Sequence, residues 1–304
     1  MSVNTFTFTD TDDFHIFTYK WAPDKGKPKA AVQIAHGAAE HALRYERFAK
    51  YLNQAGYVVY ADDHRGHGKT AGDLSKAGIA GPDGWNGMVK DEKQLSDWIK
   101  KENPGLPLFL FGHSMGSFLA QRYIQLWGNV LEGVILSGTT GLAIIPPEAL
   151  PMMEQAAAGE LRDQIPTGPG LFAALNLPFE PAKTPFDWLS RDEAEVKKYI
   201  DDPWCGFAFS NGMTLELARG MEDMLVLENQ RRVPKNLPVL LVSGEMDPVG
   251  ANNGVRALGE RYIELGIQDV RVILYPKGRH EMLNEINRDD VHKDLTKWLD
   301  DHLK

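Results

Sequence analysis

The sequence predicts an α/β protein: a mostly parallel sheet with helices on both faces and a helical segment inserted before its last strands. Three observations predict it. Short apolar runs such as 30–35, 57–61, 107–111, 133–137 and 238–243 lack polar alternation and read as strands buried on both faces. Stretches with helical spacing separate most of them, as in Leu95, Trp98 and Ile99. The alternation then stops between about Gly141 and Val233 and resumes afterwards. A segment of that length without strands is too long for a bare loop, so it reads as a helical cap.

Taken in order, Thr5-Phe-Thr-Phe-Thr9 and Phe14-His-Ile-Phe-Thr-Tyr-Lys-Trp21 alternate around an Asp/Thr turn, which predicts an antiparallel hairpin. The strand 30–35 follows, then a helix over 44–55 stopped by Gly56, and the strand 57–61. A helix over 89–102 ends before Pro104. The strand 107–111 runs into a helix carrying Phe118, Leu119, Tyr123, Ile124 and Trp127, and 133–137 is the next strand. Beyond the insertion, strands 238–243 and 270–275 are followed by helices over 253–265 and 290–303. The predicted division is a core of 1–140 and 233–304 with a cap of 141–232. The cap is rich in Pro, Met and aromatic residues, Trp188, Trp204 and Phe207 among them.

Bulk properties narrow the function. With 43% hydrophobic and 25% charged residues in 304, a large core is available. The net charge of −9 argues against nucleic acid and against electrostatic attachment to anionic membranes. Cys205 is the single cysteine, which excludes an intrachain disulfide and suits a reducing compartment. The first ten residues show no export signal, and no apolar stretch is long enough to span a bilayer. These features predict a cytoplasmic protein. They leave the oligomeric state open.

The chemistry is concentrated at Gly112-His-Ser-Met-Gly116, where a strand turns directly into a helix. Strand, Gly-x-Ser-x-Gly, helix is the setting of a nucleophile elbow, with Ser114 exposed at the tip of a tight turn. Gly112 and Gly116 lack the Cβ atoms that would collide where strand and helix approach. A serine hydroxyl needs a base, and the base needs an orienting carboxylate. Asp247, just after the strand 238–243, and His280, just after the strand 270–275, stand at the same sheet edge in the order Ser, Asp, His. Glu245 is the rival acid; Asp247 is preferred because Pro248 fixes the loop beyond it. Of the other histidines, His15 lies in the hairpin and His292 and His302 on the last helix, while His113 is expected to point away from Ser114 and to pack or hydrogen-bond structurally. Asp62-Asp-His-Arg-Gly-His67 offers metal ligands, but a Gly-rich turn explains it better, and no metal is expected. Oxyanion donors are expected from the backbone N–H of Met115 and from the loop His36-Gly-Ala-Ala-Glu-His41, where the Ala38 N–H is chosen.

These residues resemble a known family. His36-Gly-Ala-Ala-Glu-His-Ala-Leu-Arg-Tyr45, Asp63-His-Arg-Gly-His-Gly68, Gly112-His-Ser-Met-Gly116, Asp247-Pro-Val-Gly250 and Arg279-His-Glu-Met-Leu-Asn-Glu285 look like the monoacylglycerol lipase and lysophospholipase-like branch of the α/β hydrolases. The resemblance spans nearly the whole chain. It implies the α/β-hydrolase fold and cofactor-free hydrolysis of carboxylic esters. Ser114, Asp247 and His280 would form the triad, with Ala38 and Met115 as the oxyanion hole. It also implies a lid over an acyl-binding channel, whose specificity residues match no motif that carries over.

The expected function is hydrolysis of fatty-acyl esters such as monoacylglycerols or lysophospholipids through an acyl-serine intermediate. The partner is then a small acyl ester, and a lipid substrate would bring the cap into transient contact with lipid. Apolar cap residues that could line the channel are Leu142, Ile144, Ile145, Leu150, Met152, Met153, Phe172, Leu175, Leu177, Phe179, Phe207, Phe209 and Met213; core packing accounts for most of them. Three alternatives stay open: a small-ester esterase, an aminopeptidase using Glu154, Glu160, Glu193 or Glu195 to hold an amine, and a non-catalytic small-ligand-binding protein.

Overall fold

A computed structural model describes residues 3–143, 145–167, 172–250 and 253–303; Ile144, one of the apolar cap residues named above, lies outside them. Eight strands form one sheet. They are β1 (Val3–Thr9), β2 (His15–Trp21), β3 (Ala30–Ala35), β4 (Tyr57–Asp62), β5 (Leu108–His113), β6 (Gly133–Ser137), β7 (Val239–Gly244) and β8 (Val270–Tyr275). Their order across the sheet is β1-β2-β4-β3-β5-β6-β7-β8. β1 and β2 form the antiparallel hairpin, and β2 joins β4 antiparallel. From β4 onward every pairing is parallel. Each predicted strand is therefore present within a residue or two of its expected ends.

The helices are α1 (Glu46–Gln54), α2 (Gly68–Ala71), α3 (Gly84–Glu102), α4 (Met115–Trp127), α5 (Leu150–Ala156), α6 (Glu193–Asp201), α7 (Asn211–Leu225), α8 (Leu227–Gln230), α9 (Gly254–Glu264) and α10 (Arg288–Asp301). Strand periodicity sends Val32 and Ile34 to one face, where they meet Phe48 and Leu52 of α1 and Leu295 and Trp298 of α10. Ala31, Leu110 and Val134 go to the other, against Leu95 of α3, Tyr123 of α4 and Leu258 of α9. Two apolar layers thus cover the sheet, as predicted. Burying each large side chain in them contributes about 1.5–3 kcal/mol.

One boundary differs. α3 begins at Gly84 rather than near Val89, because its first turns carry Gly84 and Gly87, weak helix formers. Packing requires both: a Cβ on Gly87 would lie 2.2 Å from the Arg65 guanidinium, and one on Gly84 2.8 Å from Ala80. Between β6 and β7 the described residues contain helices and no strand. A third apolar cluster joins this insertion to the core, with Trp188, Met213, Leu217 and Met221 against Met88 of α3 and Met115 and Phe118 of α4. Through this cluster the described residues of the insertion are packed over the carboxyl edge of the central strands.

Candidate active site

Ser114 lies between β5 and α4 with φ 52° and ψ −121°, a backbone conformation that costs an L-residue roughly 1–3 kcal/mol. Neighbouring structure holds it there. Its N–H donates to the Ser137 carbonyl at 2.9 Å, and its carbonyl accepts from the Ser117 N–H at 2.8 Å and the Ser117 hydroxyl at 2.6 Å. A Cβ on Gly112 would come within 2.4 Å of the Gly116 carbonyl, and one on Gly116 within 2.1 Å of the Ala35 carbonyl. Both flanking glycines are therefore needed for β5, α4 and β3 to approach as they do.

Asp247 and His280 meet. His280 Nδ1 is 2.9 Å from Asp247 Oδ1, which also accepts the Val249 N–H at 2.9 Å, and Oδ2 accepts the Ser243 hydroxyl at 2.7 Å. Both side chains are buried. Glu245 is exposed and plays no part in this pair. Burial pulls the His280 pKa down, but the Asp247 carboxylate outweighs it and leaves the imidazole above its ordinary value. Burial pushes Asp247 up, and the His280 contact with the two further hydrogen bonds brings it below the usual carboxylate range. His280 Nε2 has no hydrogen-bond partner, so no bond yet joins it to the Ser114 hydroxyl. Such contacts commonly close only when substrate is bound.

Ser114 and His280 line one cavity of about 170 Å³ together with Ala38 and Met115. That is more than ten times the ~10–15 Å³ a single water requires. The Met115 N–H is the first donor of α4 and has no intrahelical acceptor. The Ala38 N–H likewise has no protein acceptor among the described residues. The remaining wall is mostly apolar: Phe118, Ile145, Phe172, Leu175, Trp188, Leu217 and Met221. Of the predicted cap residues, Ile145, Phe172 and Leu175 face this cavity. Leu142, Met152 and Leu177 are exposed instead, and Phe209 and Met213 belong to the third cluster. Phe186, Trp188, Tyr199, Leu217 and Met221 lacked any pattern separating pocket wall from core.

A buried charge network borders the site. Arg44 makes a bidentate pair with Glu281 at 2.7 and 2.8 Å and also donates to Glu40. Glu40 Oε1 accepts the Gly37 N–H at 2.6 Å and the Tyr45 hydroxyl at 2.7 Å, tying the network to the loop that carries Ala38. Burial pushes Glu281 up, yet the Arg44 guanidinium holds it well below the usual carboxylate range. Glu40, Arg44 and Glu281 all fall inside the motifs quoted above, but a pairing across some two hundred residues leaves no local signal.

Two sequence expectations change in detail. His113 does pack and lies 3.3 Å from the Ser137 hydroxyl, but it lines the cavity beside Ser114 rather than turning away from it. Its ring centroid is 4.7 Å from that of His280. Burial, then the neighbouring His280, pulls its pKa down to about 4, so it stays neutral. Secondly, the turn 62–68 is a buried brace. His67 Nε2 accepts the Ala39 N–H at 3.2 Å, His36 Nε2 accepts the His64 N–H at 3.0 Å, and Asp63 accepts from Ala42 and Lys69. Asp62, His64 and Glu92 gather within metal-ligand reach. Burial opposes a charge on His64, but Asp62 and Glu92 hold its pKa up to about 9.

The insertion reaches the histidine loop through its backbone. Trp188 O accepts the His280 N–H at 3.3 Å and Leu189 O accepts the Glu281 N–H at 2.7 Å. The Trp188 ring lies 4.8 Å from the imidazole.

With this geometry in place, comparison with known proteins is informative. Residues 26–287 match the family described as Hydrolase_4, serine aminopeptidase S33. The chain is 30% identical to the monoacylglycerol lipase of Mycolicibacterium smegmatis, over 93% of this chain and 92% of that protein. It is 28% identical to the monoglyceride lipase of Homo sapiens, over 95% and 88% respectively. A thermostable carboxyl esterase from Bacillus coagulans, solved in complex with glycerol, superposes with a TM-score of 0.91 at 31% identity, covering 100% of both chains.

Proposed function

The chain belongs to the Hydrolase_4, serine aminopeptidase S33, family of α/β hydrolases, and from that premise we propose that it is a carboxylester hydrolase that cleaves monoacylglycerols through an acyl-serine. In this reading His280 Nε2 takes the Ser114 proton as Oγ attacks the ester carbonyl, and Asp247 steadies the imidazolium that results. The Ala38 and Met115 N–H groups receive the developing oxyanion. His280 returns the proton to the departing glycerol oxygen. Water then gives a proton to His280 as its oxygen attacks the acyl carbon, and His280 returns that proton to Ser114 Oγ as the acyl–Oγ bond breaks and the fatty acid leaves. The observation that carries this is the buried Asp247–His280 pair at 2.9 Å, with Nε2 left open in a cavity that also holds Ser114 at its strained turn.

The substrate class is supported by the apolar wall and by the names of the relatives. The carboxylates once available to an aminopeptidase are spoken for elsewhere. Glu154 pairs with Arg219, Glu193 with Lys183, and Glu195 with Arg47 and Lys198, and neither these nor Glu160 lines the cavity. The cavity's own acids, Glu40 and Glu281, both pair with Arg44. Among the described residues, an amine there would meet no unpaired carboxylate.

Residues 141–232 act as the cap in this reading, with 1–140 and 233–304 as the catalytic core. Exposed Met152 and Leu177 would make the transient contact with lipid, by apolar insertion rather than charge. Among the described residues, no helix is long and apolar enough to cross a membrane. Cytoplasmic residence fits the single Cys205. The test is a rate series from acetyl to palmitoyl p-nitrophenyl esters, with monoacylglycerols and an aminoacyl anilide alongside. Monoacylglycerol turnover and a maximum at longer chains are expected. A maximum at acetate would make this a small-ester esterase, and hydrolysis of the anilide alone would make it an aminopeptidase.

A further inference from the structure

His41, Asp202 and Cys205 converge at the seam between the loop 36–41 and the insertion, outside the proposed catalytic groups. Their Nε2, carboxylate oxygen and Sγ atoms all lie within 4.8 Å of one another, and all three residues are half-buried, so an ion can reach them from solvent. His41 Nε2 and Asp202 Oδ2 are 2.9 Å apart. We propose that these three side chains bind a thiophilic divalent cation, Zn²⁺ being the fitting one, and so staple the insertion to the loop that carries Ala38.

The donor set selects the ion. An imidazole nitrogen, a carboxylate oxygen and a thiolate sulfur are ligands that Zn²⁺ accepts together, whereas sulfur disfavours Mg²⁺ and Ca²⁺. Three atoms mutually within 4.8 Å are each at most about 2.8 Å from a common point, so bonds of ~2.0–2.3 Å need shifts below an ångström. The fourth tetrahedral position is left to water. A hydrogen bond joins His41 to Asp202, and the turn from Asp202 to Cys205 brings the sulfur to the same place, so the three donors are assembled before an ion arrives.

The turn also orients its ligands. Asp202 Oδ1 accepts the Trp204 N–H at 2.9 Å, which leaves Oδ2 toward His41, and the Cys205 N–H donates to the Asp202 carbonyl at 3.0 Å. On binding, the Cys205 S–H proton passes to solvent as the S–Zn bond forms. His41 ligates through the Nε2 lone pair, with the ring hydrogen carried on Nδ1 and any displaced proton passing to solvent. The seam already carries two ties, since Ala39 O accepts the Gly206 N–H and the Tyr199 hydroxyl, both at 2.9 Å. The cation adds a third.

Equilibrium dialysis of the full chain against Zn²⁺ alone tests the site, with Co²⁺ as a spectroscopic replacement. One Zn²⁺ per chain is expected in wild type and equally in Ser114→Ala, which separates this site from the hydrolytic one. Asp202→Asn and Cys205→Ala, shown to be folded by circular dichroism, should each bind at least about tenfold more weakly. The Co²⁺ form should show a thiolate-to-metal charge-transfer band that Cys205→Ala lacks. Zn²⁺ held as tightly by Cys205→Ala as by wild type, or a wild-type Co²⁺ spectrum without that band, overturns the proposal.

Discussion

The floor and the roof of the cavity are built on opposite plans. On the floor, Ser114, Asp247 and His280 sit at the ends of β5, β7 and β8, and hydrogen bonds fix Asp247 through both carboxylate oxygens. On the roof, Ile145, Phe172, Leu175, Leu217 and Met221 offer only apolar surface. A hydrogen-bonded floor fixes one geometry and tolerates no change of atom. An apolar roof is non-directional, so its contribution scales with the area and shape it offers an acyl chain. In the proposed mechanism the chemistry belongs to the first region and the choice of substrate to the second.

The largest expected effect comes from the floor. Ser114→Ala should lower ester turnover by roughly 10⁴–10⁶-fold, the range seen when a triad nucleophile is removed. The fold should survive, because the substitution leaves β5, α4 and their glycines in place. Rates on p-nitrophenyl butyrate and fluorophosphonate labelling check this, and an unchanged rate would sink the assignment. Next comes Asp247→Asn, which should cost on the order of 10⁴ in kcat by presenting His280 in the wrong tautomer. Glu245→Gln, altering an exposed carboxylate two residues away, should leave kcat within about twofold. A reversed outcome would move the acid to Glu245.

A pH profile sharpens the contrast further, since the apolar residues of the roof carry no charge to change. In the proposed mechanism His280 must be neutral to accept the serine proton, and Asp247 holds its pKa above the ordinary imidazole value of 6.5 against the pull of burial. On lowering the pH through that pKa, kcat/KM should fall about tenfold per unit, with a plateau on the alkaline side. Measurements from pH 5 to 9 on wild type should place the acid limb above 6.5. An acid limb below that value would contradict the buried Asp247–His280 pair.

The same division decides what the sequence could reveal. β3 to β7 announced themselves as uniformly apolar runs because both faces of the sheet are covered. Strand ends pointed to Ser114, Asp247 and His280 as candidates, since residues at one sheet edge can be read from the strand order, and the structure pairs His280 with Asp247 and sets it on one cavity with Ser114. The roof left no comparable trace. Met152 and Leu175 are equally apolar, yet one is exposed and the other faces the cavity, and only tertiary packing separates them. Arg44 and Glu281 were likewise unreadable as a pair, because the contact joins the first turn after β3 to the loop after β8. Trp188 bonded through its backbone to the His280 loop is the clearest surprise: part of the roof helps hold the floor.

The smallest and most discriminating test changes the roof alone. Met221 and Ile145 face the main cavity on one side and a second apolar cavity on the other, which is lined also by Ala143, Leu150, Ala218 and Leu225. They form the wall between the two spaces. Met221→Ala removes three heavy atoms from that wall and gives a longer acyl chain room to continue. Each additional buried methylene is worth about 0.8 kcal/mol, close to fourfold in kcat/KM. The ratio of palmitoyl to octanoyl ester turnover should therefore rise several-fold, although the buried truncation costs roughly 2–5 kcal/mol of stability. Met221→Leu keeps the volume and should hold the ratio near wild type. The rate of fluorophosphonate labelling at Ser114 should stay close to wild type in both variants, because neither alters Ser114, Asp247 or His280. A ratio unmoved by Met221→Ala would mean that the wall does not limit chain length, and selection would have to be sought on the floor itself.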